Sequence, residues 1–389
     1  MARGGALIMM NGAPGKEVWV AINTTWNIFN FRRSLIAALR EAGFRVVAYA
    51  PPDDYVGRVE TICSRYIPMQ LDNASTHPLR ELTTLWRMVR LLRLEKPALL
   101  LTYTPKVNIY LALAARVWGI PVVANVSGLG FGFAADGGVK RIMLALYRIA
   151  FLSPKRIFFQ NAEDRATFLD AELAKEAQAA LLPGSGVDVS RFSPRPKVRD
   201  DGTFVFLMVS RLIWEKGVGE YVAAARLLKA DFPSVSFRLL GFLDVLSPSA
   251  ISRGEVEAWV LEGVIEYLGH SDDTATAYAE TDCVVLPSYY REGVPRTLLE
   301  GASMGLPAIT TDMPGCRQAV ANGETGLLCK ARDATSLAEA MRRILLMTDD
   351  ERTAMGTKAR ARIVREFDEK IVVARYMEVV KGILGEAQR

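Results

Sequence analysis

Two rhythms of apolar residues alternate along this chain. Short, nearly continuous apolar runs read as strands buried on both faces, and stretches with apolar positions three and four apart read as amphipathic helices. In the first half this predicts strands over Val18–Ile22, Arg45–Ala50, Ala98–Thr102, Pro121–Asn125 and Arg156–Gln160. Helices are predicted over Asn30–Gly43, about Arg80–Leu94, Asn108–Trp118, Val139–Phe151 and Glu163–Leu173. The pattern breaks near 183–200, where Pro-Gly-Ser-Gly-Val-Asp, Ser-Pro-Arg-Pro-Lys and Asp-Asp-Gly have the chemistry of a linker. A second series then predicts strands over Phe204–Val209, Ser236–Leu240, Ile265–Leu268, Asp282–Leu286 and Ala308–Thr311. Its helices are Gly217–Phe232, Gly254–Glu262, Thr274–Glu280 and one opened by Pro295, with a last helix over about Asp368–Gly382. The first sixteen residues are Gly-rich and poorly patterned, and read as a strand plus a short extension.

This succession predicts an α/β protein of two doubly wound domains facing across a cleft. The expected division is 1–190, 191–367 and a C-terminal helix, 368–389, that returns to the first domain. A length of 389 residues fits two or three domains, and 50% hydrophobic with 23% charged residues is ordinary globular composition. Cys63, Cys283, Cys316 and Cys329 show no paired spacing and read as buried thiols of a reducing compartment. His77 and His270 leave little room for a histidine metal site. No apolar run reaches the ~18 residues of a membrane span and no secretory signal stands out, which points to a cytoplasmic protein.

Charge is unevenly placed. Through residue 190 there are 22 Lys and Arg against 15 Asp and Glu, a net of +7, which leaves the remainder at −2 of the total +5. A basic first half suits an anionic membrane surface or a diphosphate-bearing acceptor. Nucleic acid is not expected, because no aromatic-basic or DNA-reading motif is present.

The most informative chemistry lies in Tyr-Arg-Glu-Gly-Val-Pro-Arg-Thr-Leu-Leu-Glu, which carries Glu292 and Glu300. The first follows a strand in a loop, and the second lies on the next helix, so about 10–12 Å separates them along one site. That is too far for two acids sharing a proton and suits two ends of one long polar ligand. An arbitrary pair at this spacing is usually two surface glutamates. Here the first acid stands at the carboxyl end of a strand in a βαβ unit, where open α/β sheets bind ligands. Ser-Arg-Leu-Ile-Trp-Glu-Lys-Gly (210–217) follows another strand and places Arg211 and Lys216 beside a helix start, an anion site fit for a diphosphate.

Arg211, Lys216, Glu292 and Glu300 together resemble the signature of the retaining family-four glycosyltransferases, which have the two-Rossmann-domain GT-B fold. Leu-Leu-Gly-Phe-Leu-Asp, Tyr-Leu-Gly-His and Leu-Pro-Ser-x-x-Arg-Glu-Gly-Val-Pro-Arg match in order. The resemblance implies that Glu292 touches the transferred sugar as a catalytic group, that Arg211 and Lys216 hold the donor diphosphate, and that Glu300 binds the ribose. It also places Gly241, Leu268 and Gly269 by the nucleotide, and Gly293, Val294 and Pro295 near sugar and phosphates.

Asn-Ile-Phe-Asn-Phe-Arg (27–32), Tyr-Thr-Pro-Lys-Val-Asn-Ile-Tyr (103–110), Ser-Gly-Leu-Gly (127–130) and Pro-Gly-Cys-Arg (314–317) are similar to enzymes that extend undecaprenyl-diphosphate sugars. The implied donor is a UDP-sugar such as a UDP-N-acetylhexosamine, and the implied acceptor is a lipid-linked sugar. Many members of the family carry a histidine after the strand that here is Pro121–Asn125, whereas this chain has Asn125, Ser127 and Gly128. This departure favours a reaction in which the departing phosphate takes the acceptor proton.

Candidate acceptor-side residues are Asn27, Asn30, Arg32, Thr104, Lys106, Ser127 and Gly128, with helix capping the plain alternative for Asn30 and a solvated charge for Lys106. No Asp-x-Asp stands at a suitable strand end, so neither metal nor cofactor is expected. Leu79–Lys96, with Trp86, Arg87, Arg90 and Arg93, and Lys140–Arg156, with Met143, Leu144, Leu146 and Phe151, are basic apolar stretches suited to a lipid interface or to core packing with a wet basic face.

Three rivals remain. A sugar-nucleotide epimerase would use histidines that this chain lacks. A nicotinamide oxidoreductase would show a glycine fingerprint where Asn23-Thr24-Thr25-Trp26 stands. A non-catalytic binding module need not keep both cations and both carboxylates.

Overall fold

The computed structural model describes residues 16–72, 77–129, 138–196, 202–245 and 247–386. The Gly-rich start up to residue 15, Gly130 of the Ser-Gly-Leu-Gly stretch, and part of the linker (197–201) lie outside the described residues. Among the described residues, thirteen strands form two parallel sheets. The first contains β1 (Glu17–Ala21), β2 (Arg45–Ala50), β3 (Arg65–Pro68), β4 (Leu99–Tyr103), β5 (Val122–Val126), β6 (Arg156–Phe159) and β7 (Ala179–Leu181), in the order β3-β2-β1-β4-β5-β6-β7. The second contains β8 (Val205–Val209), β9 (Ser236–Leu240), β10 (Glu266–Tyr267), β11 (Cys283–Leu286), β12 (Ala308–Thr311) and β13 (Gly326–Cys329), in the order β10-β9-β8-β11-β12-β13.

Both sheets therefore wind outward in two directions from their first strand. That creates a topological switch point at β1/β4 and another at β8/β11, and crevices for ligands open at the carboxyl ends there. The central strands Leu99–Tyr103, Val205–Val209 and Cys283–Leu286 are buried throughout, as continuous apolar runs covered by helices on both faces must be.

The predicted helix over Asn30–Gly43 is two helices, Thr25–Phe31 and Arg33–Glu41. It begins earlier because the Thr24 hydroxyl caps it and the Asp53 carboxylate accepts the N–H groups of Thr25 (2.8 Å) and Trp26 (3.1 Å). Pro295 stands one residue before its helix, Arg296–Ser303, as the N-cap.

The chain crosses between the sheets twice, and the crossings are tied together. Val187 N–H donates to the Phe367 carbonyl (2.9 Å), and Glu369 N–H donates to the Val187 carbonyl (3.0 Å). The last helix, Glu369–Glu386, then packs against the first domain. Its Val372, Tyr376, Val380 and Leu384, four residues apart on one face, share a core with Ile28, Leu35 and Leu39.

Candidate active site

The loops after β8 and β11 meet at the second switch point. The Glu215 carbonyl accepts hydrogen bonds from the N–H groups of Tyr289 (2.9 Å) and Tyr290 (3.1 Å) and from the Ser288 hydroxyl (3.2 Å). A side chain at Gly217 would place its Cβ 2.2 Å from the Pro287 carbonyl oxygen, so the two loops touch backbone to backbone. This contact delivers the Lys216 ammonium to the Glu292 carboxylate at 2.5 Å. The two side chains are only 11% and 13% exposed. The other oxygen of Glu292, Oε1, is buried without a hydrogen-bond partner among the described residues.

Arg211 leaves the end of β8 and is exposed, with no side-chain partner among the described residues. Gly241 lies where the ends of β8 and β9 approach, and its N–H donates to the Gly269 carbonyl at 2.8 Å. Leu268 is exposed next to it.

Glu300 sits one helix further in. It is 8% exposed, and its carboxylate accepts from Arg296 Nε (2.9 Å), the Tyr278 hydroxyl (3.3 Å) and the Thr274 hydroxyl (3.5 Å). Burial raises its pKa above the usual glutamate value, and the Arg296 charge pulls it back down. Beside Glu292, burial and then the carboxylate itself push the Cys316 thiol up to about 12, so it stays protonated and unreactive.

The first domain closes against this site. Gly293 N–H donates to the Ser127 carbonyl (3.2 Å), and Val294 N–H donates to Gln160 Oε1 (3.2 Å). Arg291 reaches Asp164 at 3.4 Å. Gly128, with φ +104°, lies so near that an added Cβ would stand 2.5 Å from the Gly293 nitrogen. At the other side of the cleft Trp26 meets Phe242 edge-on (6.0 Å), Phe242 stacks on His270 (4.8 Å), and Arg58 pairs with Asp272 at 2.6 Å.

The acceptor-side candidates divide. Asn27 lies in the first turn of the helix Thr25–Phe31 that follows β1, with its amide on the Thr24 hydroxyl (2.9 Å). Ser127 and Gly128 lie against the acidic loop as described. Arg32 is 5% exposed, with its guanidinium 4.1 Å over the Tyr103 ring, and it has no carboxylate partner among the described residues. Asn30 is inside its helix, not at a cap; its amide donates to the Trp26 carbonyl (3.1 Å). It lines a cavity of about 410 Å³ together with Arg33, Arg191 and Arg296, the last of which is also the partner of Glu300. The Thr104 hydroxyl turns back to the Tyr103 carbonyl (2.5 Å). The Lys106 ammonium is engaged by the Glu81 carboxylate (2.9 Å) and the Asp72 carbonyl (2.8 Å), so it stands tied to a neighbouring helix.

Of the apolar residues named for a lipid interface, Met143, Leu144 and Leu146 pack on the core and Phe151 is buried. Of those named only Trp86 is exposed, and the same two stretches also expose Leu79, Leu82, Leu94, Ile142, Ile149 and Leu152. Sequence reasoning passed over Gln160, Asn161 and Asp164, although a run of polar side chains just past an apolar strand is a usable signal. No helix among the described residues is long and apolar enough to cross a membrane.

Comparison with known proteins agrees with this geometry. Residues 30–185 match the model of a glycosyl transferase 4-like domain, and residues 189–362 match that of the glycosyl transferases group 1. The chain is 27% identical over 376 residues to the N,N'-diacetylbacillosaminyl-diphospho-undecaprenol alpha-1,3-N-acetylgalactosaminyltransferase of Campylobacter jejuni, covering 92% of this chain and 96% of that one. It is 26% identical over 331 residues to the UDP-Gal:alpha-D-GlcNAc-diphosphoundecaprenol alpha-1,3-galactosyltransferase of Escherichia coli, covering 82% and 83%. Among solved structures, Anabaena HepE in complex with UDP-glucose has the same fold, with a TM-score of 0.78 at 16% identity over 94% of this chain and 100% of that one. With both domain models matched in order and the two parallel sheets meeting at a carboxylate–lysine site, the chain belongs to the two-domain GT-B glycosyltransferases of family four.

Proposed function

We propose that this glycosyltransferase is a retaining enzyme that moves an N-acetylhexosamine or similar sugar from UDP to an undecaprenyl-diphosphate-linked sugar, in assembly of a bacterial surface or glycoprotein glycan. The observation that carries this reading is the Lys216–Glu292 pair at the switch point of the second sheet, with the buried Glu300 on the adjoining helix. An ammonium has three donors, and Glu292 takes one, which leaves two for phosphate oxygens. Arg211, exposed and unpaired among the described residues, adds the second cation. Together they neutralise the diphosphate as its bond to the sugar breaks.

In this reading Glu292 holds the transferred sugar, Glu300 the ribose, and Gly241, Leu268 and Gly269 line the nucleotide end, so the second domain serves the donor and the first the acceptor. Asn27, Ser127 and Gly128 face the acceptor sugar, and Arg32, which has no carboxylate partner among the described residues, suits its diphosphate. The acceptor oxygen bonds to the anomeric carbon as the carbon–phosphate oxygen bond breaks, and the acceptor proton passes to the departing phosphate. No protein base, metal or cofactor enters. EDTA that abolished turnover, with recovery only on added Mn²⁺ or Mg²⁺, would contradict the metal-independent step, and a sugar trapped covalently on Glu292 would contradict the route.

The named activities of the two relatives, both on diphosphoundecaprenol-linked sugars, support the acceptor class. The exposed Leu79, Leu82, Trp86 and Leu94 stand among exposed Arg80, Arg87, Arg90 and Arg93, which supports peripheral binding to the inner face of the cytoplasmic membrane. Sedimentation with anionic liposomes at low salt tests that, and no binding would refute it. For the donor, UDP and UDP-sugars are expected to raise the melting temperature more than GDP compounds do; equal shifts would refute the choice of nucleotide.

A further inference from the structure

The acidic loop of the second domain is held from the first domain. Four polar contacts cross among the described residues: Gly293 N–H to the Ser127 carbonyl (3.2 Å), Val294 N–H to Gln160 Oε1 (3.2 Å), Asn161 Nδ2 to the Glu292 carbonyl (3.4 Å) and Arg291 to Asp164 (3.4 Å). Within its own loop, Glu292 N–H donates to the Tyr290 carbonyl at 2.8 Å.

The Gln160 contact continues inward. Gln160 Nε2 donates to Asn125 Oδ1 (3.3 Å), and Asn125 Nδ2 donates to the hydroxyl of Tyr376 on the last helix (2.9 Å). All three side chains are buried. The direction of this chain is fixed chemically. A backbone N–H only donates, so Val294 requires the oxygen of Gln160; this turns the Gln160 nitrogen to Asn125, whose own nitrogen is then left for Tyr376. Space is fixed too, since a Cβ on Gly293 would stand 2.0 Å from Gln160 Oε1.

We propose that Gln160 is a positioning residue for the loop that carries Glu292, and that it takes its orientation from Asn125 and Tyr376. The proposal rests on the reading of that loop as the one that holds the transferred sugar. The loop then has its working geometry only when the first domain is docked. The last helix, by its seat on the first domain, helps to set it. The ribose and diphosphate groups, Glu300 and Arg211, belong to the second domain and do not depend on this chain of amides.

The experiment compares the full-length protein with Gln160→Met, Tyr376→Phe and the double variant. It reads UDP affinity by calorimetry, and kcat and KM for the sugar nucleotide. Gln160→Met keeps the volume and removes both hydrogen bonds; its kcat is expected to fall about tenfold or more, as a misplaced reacting group does. UDP affinity should stay within about twofold of the parent. Tyr376→Phe should lower kcat in the same direction, and the double variant should be no worse than Gln160→Met, because all three residues act in one chain. An unchanged kcat in Gln160→Met, a parallel loss of UDP affinity, or additive losses in the double variant would overturn the proposal. If Gln160→Met does not fold, Tyr376→Phe, which deletes one oxygen, decides by the same kcat and UDP readings. A parent protein that binds no UDP would instead refute the donor reading, whatever the variants do.

Discussion

Glu300→Gln isolates one charge at nearly constant volume. The carboxylate is 8% exposed and already ordered by Arg296 at 2.9 Å and Tyr278 at 3.3 Å, so a ligand hydroxyl meets a fixed acceptor. Hydrogen bonds to charged groups contribute roughly 1.5–3 kcal/mol and neutral ones roughly 0.5–1.5 kcal/mol. Two ribose hydroxyls on an amide instead of a carboxylate therefore lose about 1–3 kcal/mol, and about 1.4 kcal/mol is tenfold in affinity. UDP is expected to bind the variant roughly tenfold more weakly by calorimetry, while pyrophosphate, which has no ribose, binds both proteins alike. Burial raises the Glu300 pKa, so protonation begins above the ordinary glutamate range. As pH falls through that raised value the parent loses its carboxylate, and its UDP affinity should converge on that of the variant. A UDP affinity within about twofold of the parent at neutral pH would refute Glu300 as the ribose clamp.

Other consequences follow from the same geometry. Lys216→Ala removes the cation proposed to hold the donor phosphates and leaves the nearly buried Glu292 carboxylate without its partner, so kcat/KM for the sugar nucleotide should fall by about 10²–10³, the usual loss for one charge-stabilising donor. Gly128→Ala at φ +104° puts a Cβ 2.5 Å from the Gly293 nitrogen, and the overpacking of about 1–3 kcal/mol should appear as a lower urea midpoint together with lost turnover. Burial raises Asp164 to about 6, against an unfolded value near 3.9. Its ionisation therefore opposes folding above pH 6 by up to about 3 kcal/mol, and that penalty is relieved as pH falls from 6 to 4. Asp164→Asn should flatten this part of the stability–pH profile in urea titrations, and an unchanged slope would contradict the assignment.

The legible parts of this chain are those decided by local sequence. Val205–Val209 and Cys283–Leu286 are central strands whose apolar runs leave no other reading. Arg65–Pro68 and Ala179–Leu181 were missed because they are edge strands of only four and three residues, partly exposed, and too short for a period to show. The early start of the Thr25–Phe31 helix depends on Asp53, 28 positions away. Within the site, Lys216, Glu292 and Glu300 were visible as charges at strand ends and on the following helix. The part played by Gln160 was not, because it reads as the ordinary end of a strand until Val294, 134 positions later, is placed against it. Lys106 looked like a free loop cation for the same reason, since its partner Glu81 lies on a separate helix.

The proposed reaction is sugar transfer from UDP, with retention of configuration, onto a lipid-diphosphate sugar. Its most direct test is to incubate the protein, without added metal, with a panel of UDP-hexoses and UDP-N-acetylhexosamines and a polyprenyl-diphosphate sugar, and to read the new linkage by NMR. One UDP should be released per glycosidic bond formed, and the product should keep the anomeric configuration of the donor. An inverted linkage, or UDP release with no sugar added to the lipid-linked acceptor, would contradict it.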